Sequence, residues 1–147
     1  EIHVPIPGVL RAVAGVVVNA DLRQQLGSDT PDRPLIERLL QTANDWQVQL
    51  ESEMLAYTLE GTITRLAHRF RSQPADARRL DHLDAVAELA RSLPFETDLW
   101  EAQNCFYKVL HSVYPDMRAK ADKGDVHAIR WVERFRALGE KLRVRVD

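Results

Sequence analysis

The chain has 147 residues, which fits one domain, and at that length roughly 68–70% of the unfolded surface can be buried without help from a metal or a disulfide. With 45% apolar residues, 29% charged residues and 20 Lys and Arg against 22 Asp and Glu, the composition is that of a globular protein. A formal net charge of -2 speaks against a general binder of nucleic-acid backbones, which concentrates cations.

The single cysteine, Cys105, can form no disulfide within the chain. No apolar run approaches the roughly 20 residues of a membrane span, and no basic-then-apolar leader opens the sequence, so a cytoplasmic protein is expected. The chain begins Glu1-Ile2-His3-Val4 without an initiator methionine. The expectation is a single helical domain over residues 1–147, the C-terminal segment of a longer protein.

Almost every turn signal separates stretches of helical period, and sustained alternation is confined to RVRV at residues 143–146, so the fold is read as all-α. The first helix opens after Pro5 and Pro7 and stops at Gly27, with Val9, Val13, Val16, Val17 and Leu26 expected inward. Its many β-branched residues lower helix propensity, so packing must hold it. A turn cluster at residues 28–34 leads to a short second helix ending near residues 44–47. Ser52 is the expected cap of a third, residues 53–71, whose stripe is Leu55, Leu59, Ile63, Leu66 and Phe70, and Gly61 in its middle suggests a close contact or a bend.

After Pro74 a fourth helix places Leu80, Leu83, Val86, Ala87, Ala90 and Leu93 on one face, and Pro94 ends it. Thr97 or Asp98 caps a fifth helix, ended by Tyr114-Pro115, with Leu99, Ala102, Phe106, Val109, Leu110 and Val113 inward. A short helical piece reaches Gly124, and Asp125 caps a last helix with Ala128, Trp131, Val132, Phe135, Leu138 and Leu142 facing the core. Short connections between such helices predict a bundle or stacked antiparallel hairpins of about five to seven helices.

Chemistry is harder to find. His3, His68, His82, His111 and His127 stand singly, without paired ligand spacing, so no metal or cofactor is expected. Cys105 and His111 are six apart on one helix and face different ways, which leaves Cys105 as a buried or half-buried thiol. The helical glutamates sit opposite the apolar stripes, and the basic clusters at residues 68–72, 77–79 and 143–147 read as solvated helix faces. No nucleotide-binding glycine loop or nucleophile motif occurs, and no catalytic residue is assigned.

One constellation stands out. Trp100, Tyr107, His111 and Tyr114 lie 7, 4 and 3 apart, forming a second stripe beside the apolar face of the fifth helix. Flat apolar area with polar tips suits a core helix contact, a protein interface or a sugar-stacking surface, and all three remain open at this point.

Two segments carry a family resemblance. HVPIPGVLRAVAGVVVNADLRQQL joins a proline-bounded start, an apolar helix and Asn-x-Asp-Leu-Arg, while PFETDLWEAQNCFYKVL carries Leu-Trp-x-Ala-Gln-Asn followed by aromatics. Together they resemble the C-terminal helical region, a domain of unknown function, of bacterial proteins related to glycoside hydrolase family 57. The resemblance runs over most of the chain. Its motif positions here are Asn19, Asp21, Leu22 and Arg23, then Leu99, Trp100, Ala102, Gln103 and Asn104, with Cys105 where an aliphatic residue is expected.

The resemblance implies an upstream catalytic barrel, whose paired carboxylates would carry retaining α-glucan chemistry. This chain would be its noncatalytic helical support, with aromatic residues available to the glucan. Implied partners are that upstream domain and α-glucan, with neither nucleic acid nor membrane. The competing expectation is an independent helical interaction module with no sugar connection.

Overall fold

A computed structural model describes residues 7–146; His3 and Pro5, both invoked above, lie outside the described residues. Seven helices follow in chain order, α1 Gly8–Leu26, α2 Arg33–Asp45, α3 Ser52–Ser72, α4 Ala77–Ser92, α5 Trp100–Ser112, α6 Tyr114–Asp122 and α7 Val126–Lys141. No strand occurs among the described residues. The fold is all-α.

Three of these helices start on an aspartate. Asp32, Asp76 and Asp125 adopt extended backbone, and their carboxylates accept from the amides of Leu35, Arg78 and Ala128 at 3.1, 3.0 and 3.1 Å. Each such cap contributes about 1 kcal/mol by satisfying an otherwise orphaned N–H. Ser52, the expected cap of α3, is instead its first helical residue, and Glu51 precedes it without a side-chain cap. The amide of Glu51 is used elsewhere, by Asn19 of α1.

The helices close into a ring. α3 packs on α4, α4 on α7, α7 on α6, α6 on α5, and α5 returns to α3, while α1 and α2 form an appendage that meets the ring at α3. Every residue of the predicted stripes of α3, α4 and α7 is buried. At the centre Phe135 of α7 stacks on Phe106 of α5 at 4.1 Å, Trp131 at 4.8 Å and Tyr114 of α6 at 5.4 Å, with Phe70 of α3 at 6.3 Å. Four ring helices thus meet around one phenylalanine.

α7 ends in a left-handed Arg143 (φ 60), and the amide of Val144 donates to Gly139 O at 2.8 Å, a Schellman-type closure. The tail then folds back onto Gly139. A Cβ there would lie 2.8 Å from both Phe106 Cζ and Val146 Cγ2, so only glycine lets tail and ring approach so closely. The alternation of residues 143–146 is therefore real, with Val144 and Val146 packed on the core, but it serves a tail and not a strand.

Gly61 departs from expectation in the opposite sense. It is exposed, and an added Cβ would meet nothing within 4 Å, so it permits no close contact. Gly61→Ala is expected to stabilise the protein by up to about 1 kcal/mol, because α3 gains propensity and the unfolded chain loses freedom. Urea denaturation would read this as a higher midpoint with an unchanged slope.

The larger correction concerns α1. Of the five residues expected inward only Leu26 is buried, whereas Val9, Val13, Val16 and Val17 are 76, 56, 72 and 51% exposed. The residues that anchor α1 are Val18, Asn19, Leu22 and Leu26, all from Val18 onward. At 100° per residue Val9, Val13, Val16 and Val17 fall on one side of the helix and Val18, Asn19, Leu22 and Leu26 on the other. The valine side faces solvent even at Val16 and Val17, next to the buried Val18 and Asn19.

Candidate functional site

The α5 row is partly bare. Trp100, the first residue of α5, is 65% exposed, and Tyr107 is 56% exposed. One turn on, His111 meets Tyr107 edge-to-face with ring centroids 4.2 Å apart, so the two form one ledge. Open grooves of about 630 and 620 Å³ run along either side of that ledge. Arg71 and Lys108 border one of them, and Arg118, Asp122 and Arg145 border the other. The ledge offers flat apolar area rimmed by four cations and one carboxylate.

Tyr114 does not belong to this row. α5 ends at Ser112, Val113 (φ -111, ψ -38) turns the chain, and Tyr114 opens α6 with Pro115 in its first turn. Tyr114 is consequently 4% exposed, stacked on Phe135, and its hydroxyl accepts from Arg136 Nε at 3.1 Å. Proline lacks an N–H and is therefore tolerated where a helix starts as well as where one ends. Tyr114-Pro115, read as a stop, is a restart.

α1 supplies the other bare surface. Val9, Val13, Val16 and Val17 repeat at helical spacing, and Leu10 beside them is 50% exposed. Arg11 is the one charged residue between Gly8 and Val18. A helix that is apolar nearly all round is ordinarily covered, and a contiguous exposed apolar stripe of this kind marks an interaction surface.

The family-motif positions divide by role. Asn19, 5% exposed, donates from Nδ2 to Gly15 O at 2.8 Å and Gln49 O at 3.1 Å, and its Oδ1 accepts from Glu51 N at 2.9 Å. Leu22 and Ala102 are buried, Leu99 is half-buried at the start of α5, and Gln103 Nε2 donates to Leu142 O at 2.8 Å, closing the end of α7. Asp21 and Arg23 are exposed, and Asn104 is half-buried. The buried members tie helices together, so these motifs maintain the fold.

Carboxylates elsewhere on the surface are engaged in ion pairs. Asp84 and Glu88 of α4 approach Lys141 Nζ at 2.8 and 3.7 Å and share its single positive charge. Asp29 in the α1–α2 turn accepts from Arg69 and, at 2.6 Å, from Arg65 of α3, and these two guanidiniums hold its carboxyl below the usual range. Any stability from that lowered pKa is present above the unfolded value and lost as pH falls through the folded one. Arg79 caps the end of α3 through Arg69 O at 2.8 Å. Arg69 and Arg79 of the first two basic clusters thus serve local ion pairs and caps.

One cluster escaped the sequence reading. His68 of α3 places Nε2 3.1 Å from Glu101 Oε1 and Nδ1 3.7 Å from Cys105 Sγ, both on α5. Glu101 and Cys105 are one turn apart, a legible spacing, but His68 arrives from another helix and no local pattern announces it. Cys105 is 1% exposed, and burial, reinforced by Glu101, pushes its thiol up against the opposing pull of Arg71 and Lys108.

No helix among the described residues is long and apolar enough to cross a membrane. Comparison of the chain with protein-family models, curated proteins and solved structures finds no match.

Proposed function

We propose that this chain is a noncatalytic helical accessory domain that docks, through the bare face of α1 and the Trp100 row of α5, onto the catalytic barrel of a family-57-like α-glucan enzyme in the cytoplasm. The observation that carries the docking role is the outward side of α1, where Val9, Val13, Val16 and Val17 form a stripe that is at least half exposed throughout. A domain able to bury complete stripes on α3, α4 and α7 leaves this one bare, which is the arrangement a partner surface requires. The identity of the partner rests on the resemblance of the Asn19 and Trp100 segments to the helical region behind such barrels. Exposed Trp100, and Tyr107 and His111 with cations along their grooves, suit either the barrel surface or the hydroxyl-bearing faces of a glucan.

The test pairs stability with docking. Val13→Asp/Val17→Asp is expected to change the thermal unfolding of the 147-residue chain by no more than about 0.5 kcal/mol, since exposed positions carry little stability. The same pair, and Trp100→Ala separately, is expected to weaken association with the catalytic domain encoded upstream by about 2 kcal/mol or more, as anchors at an interface do. A large stability loss in the chain alone would place these residues in its own core. Unchanged association would remove the docking reading, and self-association abolished by the α1 pair would make a second copy the occupant.

A further inference from the structure

We propose that His68, Glu101 and Cys105 form a three-ligand site for a thiophilic divalent cation of the zinc class, bridging α3 and α5. One imidazole nitrogen, one carboxylate oxygen and one sulfur lie within 4.8 Å of one another. A tetrahedral zinc centre, with Zn–S about 2.3 Å and Zn–N and Zn–O about 2.0–2.1 Å, holds such donors roughly 3.3–3.7 Å apart. The Glu101–His68 contact at 3.1 Å and the His68–Cys105 contact at 3.7 Å already approach that spacing.

These two contacts use different ring nitrogens, so the imidazole must turn to present one of them to the cation. Its freedom to do so is visible, since the side chains of His68 and Glu101 are 49 and 41% exposed. Cys105 is fixed from below in the α3–α5 contact, which gives the site a rigid sulfur and two adjustable ligands. The fourth position opens outward for water, the three-protein-ligand pattern of open zinc sites.

On binding, the Cys105 S–H bond breaks, its proton leaves to solvent, and a metal–sulfur bond forms, with His68 neutral and Glu101 ionised. The two anionic ligands balance the dication. The alternative, a carboxylate–imidazole–thiol nucleophile, fails on access, because a sulfur 1% exposed has no room for an attacked carbonyl. Metal coordination needs only that the ion reach the sulfur from the His68 side.

Titration of the 147-residue chain with Co²⁺ under a non-chelating reductant tests the site. One equivalent is expected to produce a thiolate-to-cobalt charge-transfer band and the intense visible bands of four-coordinate cobalt, both erased by Zn²⁺. Cys105→Ser removes the charge-transfer band, while His68→Ala and Glu101→Gln, at half-exposed positions that leave the core untouched, weaken binding by roughly 100-fold, at or above the top of the range for groups that only hydrogen-bond a ligand. Circular dichroism confirms that each variant is folded, and the His68 and Glu101 variants decide the matter should Cys105→Ser unfold. Cobalt bound without a charge-transfer band, or with unchanged affinity in the His68 and Glu101 variants, is adventitious surface binding and overturns the proposal. Absence of binding overturns it equally.

Discussion

Truncating Trp131 to alanine is expected to destabilise the protein by about 3–5 kcal/mol, a large fraction of the total for a domain of this size. Trp131 is 1% exposed, lies nearly parallel to Phe135 at 4.8 Å, and donates its indole N–H to Pro74 O at 2.7 Å across the turn between α3 and α4. The substitution opens a cavity beside the central aromatic stack and leaves a carbonyl without its donor. Trp131→Phe separates the two effects, since it refills much of the volume but not the hydrogen bond, and about 1–2 kcal/mol of loss is expected to remain. Urea unfolding of both variants measures the difference. A loss under 1 kcal/mol for Trp131→Ala would contradict the closure of the ring by α7.

Asn19→Ala is expected to cost about 2–3 kcal/mol, although it removes only a small polar side chain. Asn19 satisfies the amide of Glu51 and the carbonyl of Gln49 in the segment leading into α3, and it does so from a nearly buried position. Truncation leaves both groups without a partner. Asn19→Asp is expected to be no milder, because a carboxylate retains the acceptor for Glu51 but faces Gly15 O and Gln49 O with negative charge. Thermal unfolding should rank wild type well above both variants. An Asn19→Asp protein as stable as wild type would show that the amide donors contribute nothing.

The ring helices were legible because each solves a local problem. In α3, α4 and α7 the apolar positions follow a single 3.6-residue stripe with charges opposite, and such a stripe has one solution, which is inward. Asp125 was legible as a cap for the same reason, since both the carboxylate and the N–H it serves lie within three residues. α1 was misread because periodicity says which residues share a face and nothing about what covers it. Val9, Val13, Val16 and Val17 do share a face, but it is turned away from the side of α1 where Val18, Asn19, Leu22 and Leu26 make the packing contacts. Tyr114 was misread because a proline signals that a helix is interrupted without saying whether another begins, and the turn at Val113 rotates Tyr114 out of the line of Tyr107 and His111. The His68, Glu101 and Cys105 cluster was invisible for a third reason. Its members are neighbours only after α3 and α5 have paired, so their relation is a product of the fold.

The ring has a consequence for how the chain acquires its shape during synthesis. α4 packs on α7, yet α5 and α6 separate the two in sequence, so a nascent chain that has emerged only through α6 holds α4 without its α7 partner and Phe106 without the Phe135 ring that stacks on it. α1, by contrast, packs on α2 and on α3, all within the first half of the chain, and α1 and α2 can assemble with α3 as soon as it clears the ribosome. Assembly is therefore staged, with an early N-terminal arm and a core that completes only when the last helix and its folded-back tail arrive. Until then the growing polypeptide presents greasy surface to solvent, and translation speed through the α6–α7 stretch sets how long chaperones have something to hold.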